Sequence, residues 1–488
     1  MTVAVIVATA AGRGGPEPAA ALPYGDATVL DGLCDRLATL NVPDLHVLAR
    51  PESATALRTP GAEVTETPGP ADELRAVAAV AREAARAERP VLVLPGDLAV
   101  GEELLRRLVH DGDCTAALVA PPATAPPCGY AVRTRHGRVV AAASATHRVN
   151  GPDAQFPGAL RVAAGAVPLL AETAERLAAL MEDDTALLPA QDPLPLLLVG
   201  LVRAGVPVLA RGTGPLPVRR PGSEFEARVA HTAVTGADED SARLVAAVKT
   251  GDGPFATYAV SRYSLRLVRW ARRRGLTPNM VTLISLGLAA VAAFWFAAGT
   301  RVGMVAGAVL FFLAFALDCV DGQLARYTRR FSVLGSWLDA MADRVKEWGV
   351  YAGLAVGSLA AAGASLVHAG NVWPLAVAAL AVLAVRHMIA FAWDARGRTA
   401  PPPRACSLTD PGDLGVSLPE RRTPRDRAVY WAHRLAALPI GERTALIAVT
   451  AALANAAVTF WSLIGWGCLA AVVTLTTRLA RSVRTARP

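Results

Sequence analysis

Over the first 235 residues, short apolar runs of strand length alternate with segments whose apolar residues recur at helical spacing. Val3–Ala10 reads as a buried strand. Leu30, Leu33, Leu37 and Leu40 step along one helix face, and Leu45–Ala49 reads as strand again. Residues 72–87 read as helix, and Val91–Leu94 as a short buried strand ending at Pro95-Gly96-Asp97. Further strand and helix patterns follow through 169–181 and 194–204. This alternation predicts an α/β domain over 1–235 with a mostly parallel sheet. Residues 236–252 are polar and acidic, the pattern of a linker. In 253–276, Arg262, Arg266, Arg269 and Arg273 fall on one helical stripe, with Phe255, Tyr258, Leu267 and Trp270 left for other faces. A basic helix with aromatics just ahead of apolar sequence suits an anionic membrane surface.

Beyond residue 277 the pattern changes to six apolar stretches, at 278–299, 303–323, 333–361, 371–393, 443–463 and 465–481, the last two parted by a short turn. Each is near the roughly 20 residues needed to cross a bilayer core. Arg301 is the sole basic residue expected outside. The other arginines cluster at 262–274, 329–330, 396–443 and 478–487, which places both ends and the 397–440 loop inside. The expected back half is therefore an all-α six-helix transmembrane domain, 277–488.

Composition sharpens this division. The 488 residues are 53% hydrophobic and only 18% charged, against about 25% charged in soluble domains. Disorder, collagen and coiled coil are excluded. Residues 1–250 hold 23 Lys and Arg against 29 Asp and Glu, whereas 251–488 hold 26 against 12. An acidic front half and a basic, apolar back half fit a soluble domain fused to a membrane domain. Basic residues are almost all arginine; Lys249 and Lys346 are the two lysines. The six cysteines (34, 114, 128, 319, 406 and 468) are scattered without metal-ligand spacing. The opening apolar run lacks a basic leader region, so a cytoplasmic front domain with reduced thiols is expected.

Four aspartates lie where a membrane makes them expensive. Asp318 and Asp321 are i, i+3 on one predicted helix, and Asp339 and Asp343 are i, i+4 on the next, so each pair shares a face. A carboxylate at mid-membrane costs about 2.5–3.5 kcal/mol on insertion scales, and intramembrane acids default to function. Four converging anions repel unless divalent cations neutralise them, and all-oxygen ligation beside a phosphate points to Mg²⁺ or Mn²⁺. Gly322 and Ala325 remove bulk beside the acids, and Arg326 can neutralise a diphosphate.

The run Asp318-x-x-Asp321-Gly322-x-x-Ala325-Arg326, followed after eight residues by Gly335-x-x-x-Asp339-x-x-x-Asp343, resembles the CDP-alcohol phosphotransferase family. The resemblance extends over about 253–488 and includes Thr277-Pro278-Asn279 at the head of the first span. It implies six transmembrane helices, a homodimer, and two metal ions near the cytoplasmic face. It further implies metal ligation by Asp318, Asp321 and Asp339 with Asp343 also in contact, and Asp343 as general base. Pro278, Asn279, Gly322, Ala325, Arg326 and Ser332 are the implied CDP-contacting positions. The implied reaction is attack of an alcohol on the β-phosphorus of a CDP-alcohol, with CMP leaving. Arg386, an intramembrane arginine next to His387, is a candidate for an acceptor phosphate. Arg443 and Arg478 resemble basic positions in the inositol-phosphate branch. Expected partners are thus a CDP-alcohol donor, a polyol or inositol phosphate acceptor and the bilayer, with no nucleic acid.

In the front domain, Ala10-Ala11-Gly12-Arg13-Gly14 after an apolar strand resembles the nucleotide loop of sugar-1-phosphate nucleotidyltransferases. Val91–Asp97 resembles their strand ending in a metal-binding aspartate, here Asp97. The fusion resembles bifunctional inositol-1-phosphate cytidylyltransferase/di-myo-inositol-phosphate-phosphate synthases. Three departures stand out. Pro16 takes the place of an expected arginine, no lysine precedes Lys249, and Val218-Arg219-Arg220 stands where a late aspartate is expected. Nucleotidyl transfer needs positive charge on the triphosphate and a metal site, so a degenerate nucleotidyltransferase-like domain is expected. Two other readings stay open: a phospholipid synthase using CDP-diacylglycerol, and a non-catalytic membrane scaffold with a nucleotide-sensing front domain. Four intact acids argue against the scaffold.

Overall fold

The structure is a computed structural model that describes residues 2–13, 17–110, 112–122, 129–183, 192–248, 255, 260–362, 372–399, 431–432, 435–436 and 438–485. It divides into two units, one formed by the described residues up to Arg243 and the other by those from Leu244 onward. Gly14, Pro16 and most of the 397–440 loop lie outside the described residues, as do the side chains of Arg262 and Arg478.

The front unit is a twisted sheet with helices on its faces. Its strands are β1 (Val3–Val7), β2 (Pro23–Tyr24), β3 (Ala27–Thr28), β4 (Asp44–Ala49), β5 (Ala62–Glu66), β6 (Val91–Pro95) and β7 (Ala99–Val100). β8 (Ala116–Val119), β9 (Tyr130–Arg135), β10 (Arg138–Ala142), β11 (Ala154–Phe156), β12 (Leu160–Val162), β13 (Leu209–Gly212) and β14 (Val218–Arg219) complete the set. Ten of them form one sheet in the order β11-β9-β10-β13-β8-β12-β6-β1-β4-β5. β1 pairs in parallel with β4 and β6, β4 with β5, and β13 with β8. The sheet is nevertheless mixed rather than mostly parallel. β12 enters antiparallel between β6 and β8, and β9–β11 form an antiparallel extension. The β9–β10 reversal has a local cause: His136 and Gly137 both take positive φ (51° and 71°), the geometry of a tight hairpin that turns the chain back at once.

Helices α1 (Val29–Thr39), α2 (Pro70–Arg86), α3 (Glu102–Val109), α4 (Val167–Asp183), α5 (Pro193–Arg203) and α6 (Glu224–Thr235) cover this sheet. Thr28 caps α1 through a reciprocal bond with Asp31, and α2 starts on Pro70 with Asp72 accepting from the Gly69 N–H. One apolar core joins β1 and β6 to α2, α4 and α5; the other packs α1 and α3 on the opposite face. Cys114 is disulfide-bonded, against the expectation of reduced thiols throughout, while Cys34, Cys319 and Cys468 are free. The 236–252 stretch is not simply a linker, because Glu239–Ala246 forms a helix, α7.

The second unit is helical: α8 (Ser261–Arg273), α9 (Pro278–Ala297), α10 (Arg301–Thr328), α11 (Val333–Ala362), α12 (Trp373–Thr399), α13 (Ile440–Leu453) and α14 (Ala456–Thr485). On α8, Ser264, Val268 and Ala271 are buried while Arg266, Arg269 and Arg273 are exposed, as the sequence stripe predicts; Trp270, expected on another face, is exposed beside them. Among the described residues, three helices are long and apolar enough to cross a membrane: Pro278–Ala297, Arg301–Thr328 and Ala456–Thr477. The six expected spans are thus three on this measure. α11 has ample length, but Asp339, Asp343, Arg344, Lys346 and Glu347 crowd its first half, and α13 is only 14 residues long. The turn expected near residue 464 lies instead at Ala454–Asn455. There the Asn455 Oδ1 accepts from the Val458 N–H at 3.0 Å and so caps α14.

α9 packs on both α10 and α11, and its seam with α11 is backbone against backbone. A Cβ at Gly353 would stand 2.3 Å from the Ala293 carbonyl oxygen, and one at Gly357 would stand 2.0 Å from that of Phe296. Small residues of this kind let helices in a membrane approach closely. Gly357→Leu should therefore drive α9 and α11 apart, an overpacking cost of about 1–3 kcal/mol or more. The expected result is a lower unfolding midpoint in detergent, and an unchanged midpoint would rule the tight seam out.

Candidate active site

The acids are brought together by three helices. Thr277 caps α9 by accepting from the Met280 N–H at 3.3 Å, and Pro278 fills the first helical position. The Ser332 Oγ accepts from the Gly335 N–H at 2.9 Å at the head of α11. A Cβ on Gly335 would lie 2.9 Å from the Asn279 Oδ1, so the glycine allows the first turns of α9 and α11 to meet. Asp318 and Asp321 stand in the second half of α10, followed by Gly322, Ala325 and Arg326; Asp339 and Asp343 stand on α11.

Carboxylate oxygens of Asp318, Asp321 and Asp339 lie within 4.8 Å of one another, a spacing at which one ion can bind all three. Asp321 is 4% exposed and its Oδ2 accepts from the Thr282 hydroxyl of α9 at 2.5 Å. Asp318 is half-buried and Asp339 open to the outside, and hard, anionic oxygens in such a site suit Mg²⁺ or Mn²⁺. Asp343 is outside this trio. Its Oδ1 is buried without a hydrogen bond, and the nearest positive group is the Lys346 Nζ at 3.3 Å. Lys346 also contacts Asp318 and the Ser285 Oγ. Arg326 donates its Nε to the Ala247 carbonyl at 2.6 Å while its terminal nitrogens overlie Gly322.

A second polar group lies beside the first. Glu347 accepts from Arg443 at 2.8 Å, and the Leu438 carbonyl accepts from both Arg386 (3.2 Å) and Arg443 (3.4 Å). Leu438 holds φ at +46°, a strained conformation for a branched residue, and this aims its carbonyl at the two guanidiniums. Phe311, Phe315, Ile440 and Thr444 line the small cavity between this group and Asp318, Asp343 and Lys346. Sequence reading did not single out Thr282, Ser285, Lys346 or Glu347. The available signals were two hydroxyls three residues apart in an apolar span, and a rare lysine three residues after Asp343.

The front domain's pocket is built differently. The Gly12 N–H donates to the Glu17 carbonyl at 2.9 Å and the Arg13 N–H to the Gly222 carbonyl at 2.5 Å. These two N–H donors, which could otherwise face a phosphate, are thus spent inside the protein. Asp97, 6% exposed, receives the Arg220 Nε at 3.0–3.1 Å, and the same guanidinium reaches Asp192 at 2.6 Å. Burial opposes the charge on Arg220, but the two carboxylates outweigh it and raise its pKa. A divalent ion at Asp97 would have to displace this cation, so the residues present do not fit a metal there.

Residues 275–477 match the CDP-alcohol phosphatidyltransferase family and residues 4–154 the MobA-like NTP transferase domain. The chain therefore joins a CDP-alcohol phosphatidyltransferase domain to an N-terminal MobA-like NTP transferase domain, an arrangement like that of bifunctional IPC transferase/DIPP synthases. It is 32% identical over 110 residues to the bifunctional IPC transferase and DIPP synthase of Thermococcus kodakarensis, covering 22% of this chain and 24% of that one. It is 36% identical over 85 residues to the archaetidylinositol phosphate synthase of Pyrococcus horikoshii, covering 17% of this chain and 44% of that one. The matches thus span less than half the length of these curated relatives. The inositol-1-phosphate CTP transferase from T. maritima aligns over 48% of this chain and 96% of its own, with 14% identity and a TM-score of 0.38.

Two measurements probe the front pocket. Arg220→Ala leaves Asp97 and Asp192 facing each other unpaired, and removing one partner of a buried ion pair costs about 3–5 kcal/mol. Denaturant unfolding followed by front-domain hydrogen exchange should show that loss; a change below about 1 kcal/mol would deny the bridge. Glu73, 1% exposed and ion-paired with Arg50, has its carboxyl pushed up to about 7 by burial. The folded state then holds a proton that the unfolded state has released. Front-domain stability should fall as pH rises from about 4.5 to 7, and Glu73→Gln should flatten that slope.

Proposed function

We propose that this protein transfers a substituted phosphate group from a CDP-alcohol to the hydroxyl of a polyol phosphate, with release of CMP, at the cytoplasmic face of the cell membrane. The observation that carries the reading is the convergence of Asp318, Asp321 and Asp339 on one point, with motif spacing around them. A divalent cation held there would neutralise the donor's diphosphate and its leaving oxygen. Arg326 and the open backbone at Gly322 and Ala325 receive the diphosphate, and Pro278, Asn279 and Ser332 border the CDP. The acceptor oxygen bonds to the β-phosphorus, the bond to the bridging oxygen breaks, and CMP carries away that electron pair. Asp343 takes the acceptor's proton, a task for which it is separated from the three-acid cluster. Arg386, with Arg443 and Arg478, supplies positive charge for an acceptor phosphate. An inositol phosphate fits this charge, and the names of the relatives support that choice over a diacylglycerol donor. The working unit is a homodimer. The front domain carries out no nucleotidyl transfer, a reading supported by the internal bonds of the Gly12 and Arg13 N–H groups and by the Arg220 guanidinium on Asp97.

Assay of CMP with CDP-inositol, CDP-glycerol and CDP-diacylglycerol will identify the donor. Asp343→Asn keeps size and oxygen but cannot accept the proton. It should lower CMP release by about 10²–10⁴-fold while calorimetry still detects Mg²⁺-dependent donor binding. Asp321→Asn should lose donor binding as well. Turnover by Asp343→Asn near the wild-type rate would overturn the base assignment.

A further inference from the structure

Lys346 departs from the chain's own habit. Of 49 basic residues, 47 are arginine, yet the buried cation among the acids is a lysine. A guanidinium is flat and broad, whereas an ammonium is a compact point charge with three N–H donors. Lys346 is 6% exposed, and its Nζ meets three oxygens: Asp318 Oδ1, Asp343 Oδ1 at 3.3 Å and Ser285 Oγ at 3.3 Å. The Ser285 hydroxyl donates its own proton to the Ala314 carbonyl at 2.9 Å, so its lone pairs face the ammonium. The ammonium thus donates to Asp318 and Ser285 and stands as an ion pair with Asp343, whose Oδ1 has no hydrogen bond of its own. The position between Asp318 and the second acid of α11 is where a second divalent ion would sit if all four aspartates were shared between two ions. The carboxylates left for metal are Asp321 and Asp339 with the part of Asp318 that Lys346 does not hold, three acids whose oxygens lie within 4.8 Å of one another.

We propose that the Lys346 ammonium stands in for one of two divalent ions, so that each chain binds a single Mg²⁺ or Mn²⁺ at Asp318, Asp321 and Asp339. The inference rests on the transferase reading above but concerns the number of ions, which is measured without turnover. Full-length protein in detergent is titrated with Mn²⁺, and free ion is followed by electron paramagnetic resonance. Wild type should bind one tight ion per chain, and Asp321→Asn none. Lys346→Met should bind two, with the spectral broadening of a pair about 3.5–4 Å apart. Lys346→Arg, which keeps the charge, guards against misfolding of the methionine variant and should not gain the second ion. Two ions in wild type, or one in a folded Lys346→Met protein, would overturn the proposal. So would a count that drops in Asp97→Asn instead of Asp321→Asn, because the ion would then lie in the front domain. Release of CMP by the same Mn²⁺-loaded wild type reads the reaction separately, so failure there condemns the transferase reading and leaves the ion count standing.

Discussion

Gathering carboxylates in a poorly polarisable interior is the constraint on which this molecule turns. Each anion removed from water must be met by a cation or by good donors, and the two halves of the chain meet that demand in different ways. In the helical half, Asp321 is held by a hydroxyl from α9, Asp318 and Asp343 share one ammonium, and the trio with Asp339 remains suited to a metal. In the front half, Asp97 and Asp192 are closed by one guanidinium. The same arithmetic of charge leaves one site receptive and the other sealed.

Receptiveness depends on backbone contact some distance from the acids. Thr282 and Ser285 reach Asp321 and Lys346 because α9 lies close to both α10 and α11. The closeness is possible because Gly353 and Gly357 present no side chain to the α9 carbonyls. At the other end of the seam, Gly335 lets Asn279 approach the start of α11. The acids are thus placed by glycines that take no part in the chemistry, and the site belongs to three helices rather than to the two that carry the aspartates.

Much of this was legible in the order of residues. Leu30, Leu33 and Leu37 lie on the buried face of a helix, Val91–Leu94 is a central strand, and the aspartate pairs sit on consecutive helices as their spacing requires. The misreadings have specific causes. Part of the sheet's antiparallel character comes from a two-residue turn at His136-Gly137 that folds β10 back on β9, and a histidine with positive φ leaves little mark in a sequence. The apolar run after Arg443 is broken by Asn455, a capping residue that hydropathy alone overlooks. Lys346 was seen only as a rare lysine and Glu347 was not singled out, because the partner of a buried ion is fixed by tertiary packing rather than by spacing. The replacement of a late acidic residue by Arg219-Arg220 was visible, but its consequence was not. Only the fold brings Arg220 onto Asp97.

That contact also bears on history. A domain stable by about 5–15 kcal/mol cannot easily lose a third of that margin in one step. Once a guanidinium has come to bind two buried aspartates, a lineage that drops it passes through a chain with two bare anions before any ion can be recruited. Restoring an acid at position 220 would add a third negative charge to the same pocket. The pairing therefore works as a one-way catch: the surface of the front domain can change freely, while the guanidinium that closes Asp97 and Asp192 is held in place by the cost of removing it.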